Sequence, residues 1–241
     1  MSEEKIIKHS EKAVHLMMNK ELSWKKRIKE IALEILIIVF AVTITLMVHN
    51  WNDKRHENQI ERAFLVGIKA DLKAESDKLD ENVKYFQPTV DYYNTVVKQM
   101  NSNKIDTQYV DKNSWQLTNT SYYVADNGRF ESFKSSGYLR LIRNRELAKD
   151  LMNLFTISIP FQEEIDKNLY SKRSNDYDTY IGPRGISDSG SMHVSKLFND
   201  PVVRYQVLRY ANSFNERKTQ QSELANQIRE IISEIDKELQ K

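Results

Sequence analysis

The sequence predicts an all-α protein in which one N-terminal transmembrane helix continues into an extracytoplasmic antiparallel helical bundle with coiled-coil-like packing. Three observations predict it. Ile31 to Val48 is a predominantly apolar run that contains one charge, Glu34. As a helix it rises about 27 Å, close to the ~30 Å hydrocarbon thickness of a bilayer. Leu65, Leu72, Leu79 and Phe86 recur every seven residues, and Val203 to Ile235 steps by fours and threes, which is helical packing spacing. With 6 Gly and 4 Pro in 241 residues, the chain lacks the punctuation that many short strands need.

Composition narrows the class further. A mean hydropathy of −0.63 with 29% charged residues describes a polar chain carrying one apolar insert, and excludes a multi-pass transporter. Cysteine is absent, which excludes a disulfide framework, a thiolate zinc site and a cysteine nucleophile, and fits an oxidising compartment. Residues 1–30 carry eight Lys/Arg against five Glu, whereas residues 52–241 balance 28 basic against 28 acidic groups. A neutral surface of this kind argues against nucleic acid as a partner, since phosphate binding needs a basic patch.

The element order follows from local signals. Residues 1–30 form a basic tail and residues 31–50 the transmembrane helix. A signal peptide would have a shorter leader and small residues at a cleavage point, and Met47-Val48-His49-Asn50-Trp51-Asn52 supplies none. A buried soluble helix, apolar on all faces, would need a large surrounding protein. Lys20, Lys25, Lys26, Arg27 and Lys29 before the run outnumber Lys54, Arg55 and Arg62 after it, so the N-terminus is placed in the cytoplasm. Residues 51–241 then form an outer helical domain, in the periplasm beyond the inner membrane of a Gram-negative cell and on the exterior otherwise, with Trp51 at the aromatic-belt position.

No breaker separates Trp51 from Phe86, so one helix is expected from about Ile31 to Phe86, broken or kinked at Pro88 and resuming with Val90, Val96 and Val97. Residues 101–120 read as loop or short helical pieces. Arg129 to Ser136 reads as a short helix closed by Gly137. Asn144 offers an N-cap for a long helix with the stripe Leu147, Leu151, Leu154, Phe161, Ile165 and Leu169, kinked at Pro160. Tyr180 to Phe198, with three glycines and Pro183, reads as a long mobile loop. Asp200 caps the last helix and Pro201 opens it. Its stripe is Val203, Val207, Tyr210, Phe214, Arg217, Gln221, Leu224, Ile228, Ile231 and Ile235.

Two stretches resemble a family of uncharacterised bacterial single-pass membrane proteins, a domain of unknown function. The first is Leu33-Glu34-Ile35-Leu36-Ile37 with Val48-His49-Asn50-Trp51-Asn52-Asp53, a span opened by an acidic residue and closed by Asn-Trp-Asn-acidic. The second is Phe130-Glu131-Ser132-Phe133-Lys134-Ser135-Ser136-Gly137-Tyr138-Leu139 with Ile142-Arg143-Asn144-Arg145-Glu146-Leu147. The resemblance extends to about Leu169 and departs inside the span, where the family tends to have Gly and this chain has Phe40, Ala41 and Thr43. It implies a membrane location and a helical fold, and no activity.

Five residues are candidates for function: Glu34, Trp51, Asn52, Arg217 and Gln221. A carboxylate inside a span is costly; Glu34 lies one turn from the cytoplasmic end, where it would pair with Lys26, Arg27 or a lipid amine, join a helix–helix contact, or handle a proton. Trp51 and Asn52 mark the outer rim. Arg217 and Gln221 interrupt an apolar seam, to fix register, to line a pocket, or because the seam opens to solvent there. His49, Asp53 and His56 share a helix face but span too far for one ion, and an interfacial polar cluster is the expected role. The sequence assigns no catalytic, cofactor or metal residue.

The expected function is a membrane-anchored helical interaction or scaffold module, not an enzyme, with the lipid bilayer and a protein partner or a second copy of the chain as partners. The alternative is a ligand-sensing extracytoplasmic domain that signals through a partner, with Tyr170, Tyr177, Tyr180, Tyr205, Tyr210 and Phe214 near a pocket. More remote is a hydrolase using the 180–198 loop, where Ser187, Asp188, Ser189 and His193 supply the residue types of a triad.

Overall fold

Apolar spacing decides which helix faces are buried, and the elements follow from it. A computed structural model describes residues 24–119, 121–187 and 190–241, with the backbone alone for Lys25, Lys26 and Arg27. The basic tail expected over residues 1–30 therefore lies mostly outside the described residues. Helix α1 is Trp24–Asn101, α2 Thr107–Lys112, α3 Gly128–Ser135, α4 Arg145–Asn153, α5 Ile159–Asp176, α6 Gly182–Gly185 and α7 Pro201–Leu239. The chain is all-α: no strand occurs among the described residues, where a lone antiparallel bridge pairs Ile186 with Met192. Two compact units divide it, one ending at Glu61 and one comprising Arg62–Lys241, and α1 contributes to both.

In the first unit α1 contains a stretch of hydropathy 2.8, long and apolar enough to cross a membrane. Its side chains point outward, with Leu36, Phe40 and Met47 among the most exposed. The hydroxyls of Thr43 and Thr45 donate to the carbonyls of Val39 and Ala41, so these polar groups are satisfied within the helix. Glu34 and Ala41, seven residues apart on one face, are buried.

In the second unit the expected stripes face the core. Leu65, Ile68, Leu72, Leu79, Phe86, Val90 and Val96 of α1 are all buried, as are the ten seam positions of α7 from Val203 to Ile235. The two helices meet along their lengths with residue numbers rising on one and falling on the other. Arg62 Nη1 donates to the Leu239 carbonyl at 3.0 Å, Lys69 pairs with Asp236, and Asp80 pairs with Arg229. Farther along, the Phe86 and Phe214 rings lie 6.3 Å apart, Tyr93 and Tyr210 lie 6.2 Å apart, and Arg204 reaches the Met100 carbonyl. Asp200 caps α7 through the Val202 amide at 2.8 Å, and Asn144 caps α4 through the Leu147 amide at 3.2 Å.

Three expectations are corrected. Pro88 does not break α1, which runs on to Asn101. Its missing N–H orphans the Lys84 carbonyl, and both residues are exposed, where water can serve that carbonyl, while Phe86, Thr89 and Val90 stay packed inside. The helix from Arg145 does not run as one regular α-helix to Pro160: it is wound wide just before it, as a π-helical turn over Leu154–Ser158. The wider turn gives the proline ring room and inserts one residue into the repeat. The stripe therefore shifts: Phe161 stands 62% exposed, and Phe155, Ile159, Gln162, Asp166 and Arg173 are buried instead. Finally, the described part of 180–198 is not one loop. A π turn (Tyr177–Ile181), α6 and a 3-10 turn (Val194–Asn199) bury Ile181, Val194 and Phe198 in the core.

Candidate functional site

The shifted register of α5 brings a carboxylate to the seam of α7. Arg217 is 1% exposed, and its guanidinium lies over the Phe86 ring, with the central carbon 4.4 Å from the centroid. A buried guanidinium needs a matched acceptor. Asp166 supplies it in a two-point fork: Nε donates to Oδ1 at 3.0 Å and Nη2 donates to Oδ2 at 2.8 Å. Three further donors complete the carboxylate: Gln162 Nε2 at 2.8 Å, Gln221 Nε2 at 2.7 Å and the Tyr123 amide at 2.9 Å.

This layer joins three helices and one irregular segment. Arg217 Nη2 also donates to the Ser121 carbonyl at 2.6 Å, Asn82 Nδ2 of α1 donates to Gln221 Oε1 at 3.2 Å, and Ser121 Oγ donates to Asn82 Oδ1. The backbone of 123–126 thus finds side-chain acceptors in place of a ladder. Beyond the Tyr123 amide on Asp166, Ala125 donates to Glu163 at 2.7 Å and Asp126 to Glu75 at 3.0 Å. The Tyr123 hydroxyl donates to Glu75 Oε2 at 2.8 Å; burial, then the Glu75 charge, raises its pKa well above that of free tyrosine.

A second cation lies two turns farther along the same face of α5. Arg173 of α5 is buried, donates to the Thr118 carbonyl at 3.2 Å, and stands over the Phe214 ring at 5.0 Å. Burial lowers its pKa, the Tyr93 phenol raises it, and the Arg217 charge lowers it again. Tyr93, stacked on Phe214 at 5.4 Å, is pushed up to about 12 by burial, with Arg173 pulling the other way.

The sequence candidates separate into two groups. Arg217 and Gln221 fall in one polar layer and are closed off from water, so the seam does not open to solvent there. Glu34, Trp51 and Asn52 belong to the other unit. Glu34 is 7% exposed, whereas Trp51 and Asn52 are exposed, with Arg55 5.8 Å from the Trp51 ring centroid. The expected partners Lys26 and Arg27 lie outside the described side chains. His49 pairs with Asp53 at 3.5 Å and both are exposed; no group of metal-binding side chains occurs among the described residues.

In the 180–198 region, Asp188 and Ser189 lie outside the described residues. His193 Nδ1 sits 3.4 Å from Asp111 Oδ2, and Ser195 donates to the same carboxylate through its hydroxyl and its amide, each at 2.9 Å. The hydroxyl proton is thus directed at the carboxylate rather than at an imidazole, and the cluster ties this turn to α2. Sequence reasoning missed Asp111, Asp166, Gln162, Arg173 and Glu75. A buried Arg217 was the available signal that a carboxylate had to lie opposite.

No curated protein and no solved structure matches the chain. A family match covers residues 34–183, more than half of the chain. It takes in Glu34, Trp51, Asn52 and Asp166 but stops before the Arg217 and Gln221 partners. On that match the chain belongs to a family of unknown function (DUF6090).

Proposed function

We propose that this protein is a single-pass inner-membrane protein whose N-terminus is cytoplasmic and whose Arg62–Lys241 unit is a periplasmic antiparallel helical bundle acting as an interaction module. The paired contacts of α1 and α7 support the bundle, and their steps of four and three support coiled-coil-like packing. The basic flank before the apolar run supports the orientation.

The observation that carries the interaction role is the apolar surface left outside. Ile157 and Phe161, one turn apart, are each 62% exposed, and Val202, Tyr205 and Leu208 form a second exposed row on α7. The Asp166 carboxylate takes up donors from Arg217, Gln162, Gln221 and the Tyr123 amide, which suits alignment of the helices rather than chemistry on a substrate. Photocrosslinking residues placed at Phe161 and Tyr205 of the full chain in native membranes test the role. The same discrete product from these sites, with none from exposed Thr219, supports it; no product at either site overturns it.

Ligand sensing is the second reading. An open groove of about 350 Å³ between α5 and α7 is lined by Leu169, Lys172, Arg209, Tyr210, Glu216 and Gln220, among others. A metabolite that raises the unfolding temperature of the wild type but not of Lys172→Ala would favour sensing, and a flat metabolite panel would remove it.

A further inference from the structure

The second unit carries a cationic groove at the end where its chain begins. Arg129 Nε pairs with Asp71 at 2.6 Å, Phe133 stacks on Phe64 at 3.7 Å, and Tyr138 meets Phe133 edge-on at 5.8 Å. The chain from Arg129 to Tyr138 therefore runs back along α1 toward Arg62, whose guanidinium also holds the Leu239 carbonyl. Gly137, at φ 71°, then turns it into Tyr138–Leu141 and α4. The turn and α4 enclose an open groove of about 310 Å³ lined by Leu139, Arg140, Arg145, Ala148, Lys149 and Met152, together with Asn153.

We propose that this face is a docking surface for the headgroups of anionic phospholipids. The proposal rests on the reading of Ile31–Val48 as a membrane span. Four cations (Arg140, Arg143, Arg145 and Lys149) face two carboxylates, Glu146 and Asp150, within residues 138–153, although residues 52–241 as a whole are neutral. Arg140, Arg143, Arg145 and Lys149 are exposed. Lys149 stands 3.6 Å from Glu146, both largely in solvent, so the pair is weak enough to yield to a phosphate. Arg145 Nη1 donates to the Arg140 carbonyl at 3.4 Å, and both arginines line the groove.

The groove floor matches the same partner. Leu139, Ala148 and Met152 place apolar surface directly beside the cations, and Tyr138 is half-exposed next to them. Cation above and hydrocarbon below is the chemistry of a phospholipid headgroup at its acyl boundary, where tyrosine also concentrates. A soluble anion would use the charges and leave the apolar floor wet. Connectivity supplies the rest. Only residues 52–61 separate Trp51 from this unit, and a chain of that length reaches at most about 35 Å even when fully extended.

Because the chain has no cysteine, Asn153→Cys of the full-length protein takes a single fluorophore beside the groove. The chain is incorporated in nanodiscs of phosphatidylcholine, or of phosphatidylcholine with phosphatidylglycerol, each with a headgroup-linked quencher. Quenching is expected to be about fivefold stronger with phosphatidylglycerol, the change that one cation at an anionic surface confers. It should fall to the phosphatidylcholine level in R140E/R145E/K149E and near 1 M salt, where the Debye length shrinks to about 3 Å. R140K/R145K keeps the charge and should keep the response. Lys149→Glu alone, at an exposed position, should remove most of the gain even if the triple variant folds poorly. Equal quenching in both discs, or a response that survives Lys149→Glu and salt, overturns the proposal while leaving the membrane anchor intact. A chain that does not enter discs at all overturns the anchor, and the docking surface with it.

Discussion

Asp166 and Arg217, 51 residues apart, meet in a two-point fork whose two side chains are at most 1% exposed. The pair ties α5 to α7, and through Tyr123 and Ser121 it also fixes the segment that crosses them. Removing one partner strands a buried charge, whereas removing both does not. Asp166→Ala should therefore cost about 3–5 kcal/mol of stability, and D166L/R217M should recover most of that. Urea unfolding of the full chain in detergent, followed by helical circular dichroism, measures both. A single substitution costing under about 1 kcal/mol would show that the layer is not what aligns these helices.

The π turn makes a separate prediction. Thr156 is exposed, and its hydroxyl only bonds back to the Met152 carbonyl at 2.8 Å. Deleting an exposed residue is ordinarily mild. Here the deletion should convert the π turn to α, rotate α5 by about 100°, and swing Asp166 and Arg173 out of the seam. The expected result is a loss of several kcal/mol, on the scale of a broken buried pair. An unchanged thermal midpoint would contradict this account of the register.

Gly137 is held at φ 71°, and nothing lies within 4 Å of where its Cβ would be. Conformation alone should decide substitutions there. Gly137→Ala should cost about 1 kcal/mol, and Gly137→Asn less, because asparagine tolerates the left-handed region. Equal losses for the two in denaturant melts would point to an unseen steric cause.

Tyr92, Tyr93, Tyr123 and Tyr210 all have raised pKa values, in each case mainly from burial. The unfolded chain releases these phenolic protons near pH 10 and the folded chain at about 12 or above. The folded state thus binds more protons in that window. Stability should be full below pH 10 and fall as pH rises, by about 1.4 kcal/mol per unit for each tyrosine. Phenolate absorbance should show these four of the chain's 12 tyrosines ionising together with the loss of helix. Ionisation of all 12 before the helical signal falls would refute it.

Much of the fold was legible because burial here follows simple periods. The seam of α7 and the Leu65–Phe86 stripe were readable residue by residue, since regular α-helix keeps its spacing. The caps at Asn144 and Asp200 were readable because a side chain bonds an amide two or three residues on. Asp166 was not readable. One extra residue in a π turn resets the phase of all that follows, and no local propensity marks where it falls. That α1 would not break at Pro88 was unreadable for a related reason, because the cost depends on whether the orphaned carbonyl meets water, which only the packing decides. The Asp111 tie to His193 and Ser195 joins residues more than 80 positions apart and leaves no spacing signal.

Topology tests the central claim most directly. With a reporter that is active only outside the cytoplasm fused after Lys241, full activity is predicted, and a fusion near the N-terminus should be silent. Swapping the charges that flank Ile31–Val48 should reverse the pattern. Activity confined to cytoplasmic reporters after Lys241, in cells where the fusion is intact, would contradict the membrane-anchored outer module.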